Sequence, residues 1–259
     1  MIRFVLLGTG TSTGIPCVGC ECDTCLSEDI RDTRLRTSLL VQSETTTVII
    51  DTSADFRQQM LRHSVKQIDG IVYTHHHYDH ISGFDDVRPF SFFGNHIPAN
   101  VYLMQETLNN MKQVFSYAFD ENAQVGGGLP NAAFTIIDVK PFTIGDIHIQ
   151  PIPLKHGSLR VNGYRIGNFA YCTDTNHIPE ESYVLLKDLD VLILDALRYT
   201  KHPTHFTIEQ ACIEAKKIQA EKTYFTHIAH QIRHKDCNDL LPDYCYLGYD
   251  NLEFIIDWT

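Results

Sequence analysis

The 259-residue sequence contains no apolar run of 18 residues and no low-complexity tract. Without the first, no segment is suited to crossing a bilayer as a helix. Without the second, composition reserves no stretch for disorder. The opening residues Met1-Ile2-Arg3-Phe4 pass straight into a strand-like segment, without a signal peptide's charged and apolar regions, so the expected location is cytoplasmic. Positive charge is also scarce: 21 Lys and Arg face 32 Asp and Glu, a formal net charge of −11. That balance disfavours an extended nucleic-acid partner, which needs a basic face. A small anionic substrate stays compatible, because bound metal ions add local positive charge that the totals omit. Hydrophobic residues make up 43% of the chain, enough to bury a large core and to form one α/β domain over residues 1–259.

The most informative stretch is Thr74-His75-His76-His77-Tyr78-Asp79-His80, directly after the apolar segment Ile68-Asp69-Gly70-Ile71-Val72-Tyr73. Read as H-x-H-x-D-H, it places His75, His77, Asp79 and His80 at the end of a buried strand, with His76 and Tyr78 as spacers. A lone histidine is usually structural or exposed. Four such side chains this close repel or lose hydration unless a cation gathers them, and imidazole with carboxylate suits a divalent metal such as zinc.

Four cysteines fall within Cys17-Val18-Gly19-Cys20-Glu21-Cys22-Asp23-Thr24-Cys25. Cys20-x-Cys22-x-x-Cys25 forms a compact thiolate knuckle that lacks one ligand for a tetrahedral zinc. Disulfides are the lesser alternative in a reducing compartment. Cys172, Cys212, Cys237 and Cys245 read as scattered thiols. Gly8-Thr9-Gly10-Thr11-Ser12 has neither the P-loop lysine nor a full G-x-G-x-x-G, so it reads as a tight strand exit.

Paired strands are expected over 37–41 and 47–50, then a helix capped by Ser53 through Leu61, with Asp51 at a strand end as an acceptor orienting the metal loop. Strand ends also deliver His156, Asp174, Asp195 and His227-Ile228-Ala229-His230. Core packing alone does not explain that repetition. Helices are expected over 105–118, over 207–219 with Thr207 as cap, and near 235–241. Gly126 to Pro130 reads as a flexible loop, Arg88 as a guessed anion contact, and 84–134 as an elaboration, a lid or dimer arm. His202-Pro203-Thr204-His205-Phe206-Thr207 supplies two histidines near a helix start.

H-x-H-x-D-H after an apolar strand resembles the signature of the metallo-β-lactamase fold superfamily. The resemblance implies a four-layer αββα sandwich of the α/β (α+β) class with two metals at its edge. Carried onto this chain, it implies His75, His77 and His156 on one metal, Asp79, His80 and His227 on the other, and Asp174 bridging. Two divalent ions with two carboxylates, neutral imidazoles and a bridging hydroxide keep a net charge of about +1, suited to a phosphate ester. Metal-bound water ionises near neutral pH instead of near ~15.7, which supplies the nucleophile.

His205-x-Thr207 resembles the H-x-T element of the superfamily's phosphodiesterases. It implies His205 as leaving-group acid, with His202 the competing candidate. Thr226-His227-x-x-His230 together with Cys20, Cys22 and Cys25 is similar to the PhnP-like subgroup, implying a structural zinc on the three cysteines and His230. The implied activity is hydrolysis of a small cyclic phosphodiester, such as 5-phosphoribosyl 1,2-cyclic phosphate or a 2′,3′-cyclic nucleotide, with Asp79 and His205 as catalytic residues. The catalytic pair is zinc or manganese, and the subgroup suggests a homodimer. The competing readings are a tRNA 3′-processing endonuclease, a lactone or thioester hydrolase, and a PqqB-like cofactor-biosynthesis protein.

Overall fold

Along the first strand Phe4 and Leu6 point to one side and Val5 and Leu7 to the other, and all four are fully buried. Apolar packing on both faces marks a strand covered twice, by a second sheet and by helices. The computed structural model describes residues 1–93, 97–120, 122 and 128–257.

In chain order the elements are β1 (Ile2–Gly8), β2 (Ser38–Gln42), β3 (Thr47–Ile50), α1 (Phe56–Arg62), β4 (Gly70–Val72), α2 (Tyr78–Ile81), α3 (Arg88–Phe93), β5 (Ala99–Leu103), α4 (Gln105–Val114), β6 (Ala132–Ile136), β7 (Phe142–Ile144), β8 (Ile147–His156), β9 (Leu159–Ile166), β10 (Phe169–Cys172), β11 (Val191–Asp195), α5 (Ile208–Ile218), β12 (Lys222–Thr226), α6 (His234–Asn238), β13 (Cys245–Leu247) and β14 (Glu253–Ile256). They build two seven-stranded sheets, ordered β14-β1-β2-β3-β4-β5-β6 and β13-β12-β11-β10-β9-β8-β7.

Three apolar clusters make four layers of these elements. Phe4, Leu6, Val41 and Ile50 meet Ile149, Tyr164, Phe169 and Ile193 between the sheets, where the Phe4 and Phe169 rings stack with centroids 4.0 Å apart. Val5, Leu7, Ile49 and Ile71 pack outward on Phe56 and Met60 of α1 and Met111 of α4. Leu154, Leu192 and Phe225 pack outward on Ile208, Ala211 and Ala215 of α5. The result is the expected αββα sandwich.

β3 to β6 run parallel in one sheet and β10 to β13 in the other. In such sheets polar ligands collect outside the carboxyl ends of the strands, where loops can carry exposed side chains. The Gly8–Thr11 turn is a close backbone approach. A Cβ at Gly8 would run into the Arg36 carbonyl oxygen, and one at Gly10 would lie 2.9 Å from that of Arg34. Thr11 then donates its N–H to Ile228 O (3.0 Å) and Ile228 donates to Thr9 O (2.9 Å), which ties the N-terminal turn to the loop after β12.

Two local expectations shift. α1 starts at Phe56, because Ser53 Oγ accepts from Asp55 N and turns the chain one step before the helix begins. The segment 84–134 is in part sheet, since β5 and β6 extend the first sheet from β4. Gly126 and Gly127 of the expected loop lie outside the described residues. No described helix is long and apolar enough to cross a membrane.

Candidate metal centre

β4 ends at Val72, and three residues later the chain delivers His75, buried at the carboxyl edge of the sheet. The short α2 then sets Asp79 and His80 in its first turn, with His80 N–H donating to His77 O at 3.0 Å. β8 ends on His156, β10 leads to Asp174, and β12 leads to His227. Two groups result, His75, His77, His156 and Asp174, and Asp79, His80, Asp174 and His227. In each, the ligand atoms lie within 4.8 Å of one another. Asp174 belongs to both. Its Oδ2 is 3.2 Å from His227 Nε2, 3.3 Å from His80 Nε2 and 4.0 Å from His75 Nε2.

Neighbouring groups orient the imidazoles. His80 Nδ1 donates to Asp51 Oδ2 (2.7 Å), and Asp51 also accepts from Thr74 N and Thr74 Oγ1, both at 2.8 Å. His75 Nδ1 lies 3.0 Å from Thr74 Oγ1, and His156 Nδ1 donates to the Thr204 carbonyl at 2.7 Å. With Nδ1 engaged, Nε2 of each ring is turned to the centre. Asp51 thus has the orienting place expected of it. It and His227 adopt left-handed backbone, φ 64° and 59°, at a cost of roughly 1–2 kcal/mol each for residues other than glycine.

This array fits a divalent cation. The buried Nε2 atoms of His75 and His80 make no hydrogen bond, which costs about 1–3 kcal/mol apiece if nothing fills the gap. Burial pushes the His80 imidazole down, yet the charges of Asp174, Asp79 and Asp51 outweigh it and raise the group well above its ordinary range. The field there demands positive charge, whether a proton or an ion. Burial lowers His75, and lowers His156 to about 4, so both are neutral and able to donate a lone pair.

Cys20, Cys22, Cys25 and His230 also converge within 4.8 Å. Cys20 Sγ is 3.2 Å and Cys22 Sγ 3.4 Å from His230 Nδ1, close to the edge of roughly 3.5 Å in a tetrahedron with zinc-like ligand radii. The backbone N–H of Cys25 lowers the Cys22 thiol to about 6, and burial pushes Cys25 to about 12. Cys17 stands beside the group. Its backbone N–H donates to Cys25 Sγ at 3.4 Å, while its own thiol bonds the Gly14 carbonyl at 3.2 Å.

His205 is buried, with its ring centroid 4.6 Å from that of His227 and 4.5 Å from that of His156. Its Nδ1 donates to Asp195 Oδ2 at 2.7 Å, and Asp195 also accepts from Thr175 N at 3.2 Å. Asp195 had only its position at a strand end to mark it, and the sequence carried no sign that it faces His205. Arg88, the guessed anion contact, is occupied instead by Asp85, at 2.5 Å, and by the Gly128 carbonyl.

Fold and ligand groups define a protein of the metallo-β-lactamase class with a candidate metal centre at the strand ends. A model described as the β-lactamase superfamily domain matches residues 46–228. A solved structure described as a diphosphatase from the PhnP family superposes with TM-score 0.92 at 39% identity, covering 99% of this chain and 98% of that one. The chain belongs to the β-lactamase superfamily and, within it, to the PhnP family. An octanoyltransferase from Porphyromonas gingivalis (strain ATCC BAA-308 / W83) is 38% identical over 262 residues, 99% of this chain but 52% of the relative, so the chain spans about half that protein's length. Zn(2+)-bound PqqB from Methylobacterium extorquens, 14% identical with TM-score 0.76 and covering 98% of this chain and all of that one, shares the fold.

Two substitutions test these assignments. Asp51→Asn removes the acceptor shared by Thr74 and His80 and is expected to weaken catalytic-metal affinity about 10–100-fold, measured by competition with a chromophoric chelator. An unchanged affinity would remove the orienting role. Cys22→Ser is expected to lower bound zinc by one equivalent and the melting temperature together, read by elemental analysis and calorimetry. Unaltered zinc stoichiometry would refute a structural zinc at the knuckle.

Proposed function

We propose that this protein hydrolyses a small cyclic phosphodiester with two divalent metals, zinc or manganese, at the His/Asp centre, and that a structural zinc occupies the cysteine knuckle. His75, His77 and His156 would hold one catalytic ion and Asp79, His80 and His227 the other, with Asp174 shared. When bound, such ions supply an ionised water as nucleophile and offset phosphoryl charge. The chain's own residues do the rest.

The observation that carries the reading is the Asp195–His205 pair beside the two ligand groups. Asp195 fixes the Nδ1–H tautomer, leaving Nε2 of His205 for the substrate side. Burial holds the free imidazole below its ordinary range. An anionic phosphate docked against it favours the protonated form, because an opposite charge within a few ångströms stabilises imidazolium. So charged, His205 can deliver a proton to a departing alkoxide, which needs one. Asp79, with Oδ2 3.5 Å from both His80 and His227, keeps negative charge between those rings.

A second reading is hydrolysis of a diphosphate, favoured by the 39%-identical relative described as a diphosphatase. It uses the same machinery, since both substrates expel an oxygen from phosphorus. The acyl-transfer name of the Porphyromonas gingivalis relative belongs to a protein about twice as long and carries no argument for this half.

Phosphorus NMR of the metal-loaded protein with 5-phosphoribosyl 1,2-cyclic phosphate, 2′,3′-cyclic AMP and a disubstituted diphosphate separates the readings. Ring opening that disappears in Asp79→Ala is the expected result, and cleavage of the diphosphate alone would replace the first reading with the second. His205→Ala is expected to lose about 10²–10⁴-fold on an alkoxide-leaving substrate and far less on an aryl phosphodiester. Equal losses on both would end the acid role.

A further inference from the structure

The loop between β11 and α5 brings a second histidine to the same rim. His202 and His205 have ring centroids 5.1 Å apart, and the loop between them is held by His156 and by Asn176, which is itself braced. Thr204 O accepts from His156 Nδ1, Pro203 O accepts from the Asn176 amide at 2.9 Å, and the Asn176 carbonyl accepts Gly157 N–H at 2.8 Å. A ring on this loop is therefore positioned by the same residues that position a predicted metal ligand.

The tautomer of His202 follows from its neighbours. Thr204 presents its backbone N–H to His202 Nδ1 at 3.4 Å and its hydroxyl to the same atom at 3.2 Å. The backbone N–H can only donate, so Nδ1 is the acceptor and the neutral ring carries its hydrogen on Nε2. Burial, with the charges of His205 and Arg198, lowers the group from its ordinary range, which favours that neutral form. His202 Nε2 has no hydrogen-bond partner among the described residues, and the side chain is only part-buried. Two neighbouring groups are engaged with the loops: Arg198 donates through Nε and Nη2 to the carbonyls of Thr200 and Lys201, both at 3.1 Å, and Asn176 is bonded as above.

We propose that His202 is a substrate-positioning residue: its Nε2–H donates to a non-reacting oxygen of the bound phosphate while His205 exchanges the proton with the leaving group. The proposal rests on the phosphate reading of the centre. It divides the labour of two adjacent imidazoles by their partners: a carboxylate behind His205 Nδ1 makes that ring a donor there and prepares Nε2 to carry a proton, whereas a hydroxyl and an amide behind His202 Nδ1 fix a neutral donor. A neutral donor binds ground state and transition state about equally, so its loss falls on KM and leaves kcat.

Nitrogen-15 NMR of the metal-loaded protein, with and without inorganic phosphate, is the first test. His202 is expected to show protonated Nε2 and unprotonated Nδ1, with the Nε2 resonance moving on phosphate addition. The variants His202→Ala and His202→Gln supply the second. Ala is expected to weaken phosphate binding and raise KM about tenfold with kcat within twofold of the parent. Gln, whose amide can present an N–H near the place of Nε2, should restore most of both. A fall in kcat with KM unchanged, no rescue by Gln, or phosphate binding equal in all three proteins would overturn the assignment. Should the parent turn over no phosphate ester or diphosphate while His202→Ala still loosens inorganic phosphate, the proposed function fails and the role of His202 stands.

Discussion

A buried carboxylate and five imidazoles, four of them buried and His77 exposed, converge on one centre, and the molecule is built to tolerate that. Asp174 is 1% exposed and its Oδ2 faces the Nε2 atoms of three histidines. Lone pairs that face each other at 3.2 to 4.0 Å repel unless positive charge lies among them. Protons can supply it one ring at a time, and divalent ions supply it for the whole set. The site's affinity for metal is thus the counterpart of the field that its own carboxylates create.

The rest of the fold resists that repulsion. Four rings are braced from behind, His80 by Asp51, His75 by Thr74, His156 by the Thr204 carbonyl and His205 by Asp195, whereas the buried Nδ1 of His227 has no hydrogen-bond partner among the described residues. Asp51, Thr74 and Asp195 sit on or next to strand ends, so the sandwich core fixes them, while Thr204 lies in the loop between β11 and α5. Far along the chain, Thr9 and Thr11 bond both sides of Ile228, and two residues further on His230 meets the cysteine knuckle. A closed knuckle pins the N-terminal loop to the segment that delivers His227, removing conformational freedom over a very long intervening chain. The knuckle's His230 and the His/Asp centre's His227 are separated by two residues of backbone, Ile228 and Ala229.

Orientation also separates chemically identical side chains. His75, His80, His156, His202 and His205 differ only in what stands behind Nδ1: a hydroxyl, a carboxylate, a carbonyl, a threonine hydroxyl with its amide, and a second carboxylate. An acceptor behind the ring leaves Nε2 a lone pair that can meet a cation or take up a proton, and a donor behind the ring leaves the hydrogen on Nε2.

The sequence by itself determined what depends on a few neighbouring residues. H-x-H-x-D-H set four ligand-type side chains within one turn and its lead-in. The Thr207–Gln210 capping box started α5 where the cap residues stand, and alternating Ile147, Ile149 and Ile152 marked β8. Resemblance added the pairing of His230 with the cysteines, which spacing alone left open. Only tertiary structure decided which carboxylate stands behind which histidine, since Asp195 and Asp51 reach their partners by sheet register and not by proximity in sequence. It also placed β5 and β6 in the first sheet, paired Arg88 with Asp85, and assigned Cys17 its backbone bond to Cys25. The physical reason is range: caps and periodicity act within a few residues, whereas the bonds that orient the site close across strands that are adjacent only after the two sheets have formed.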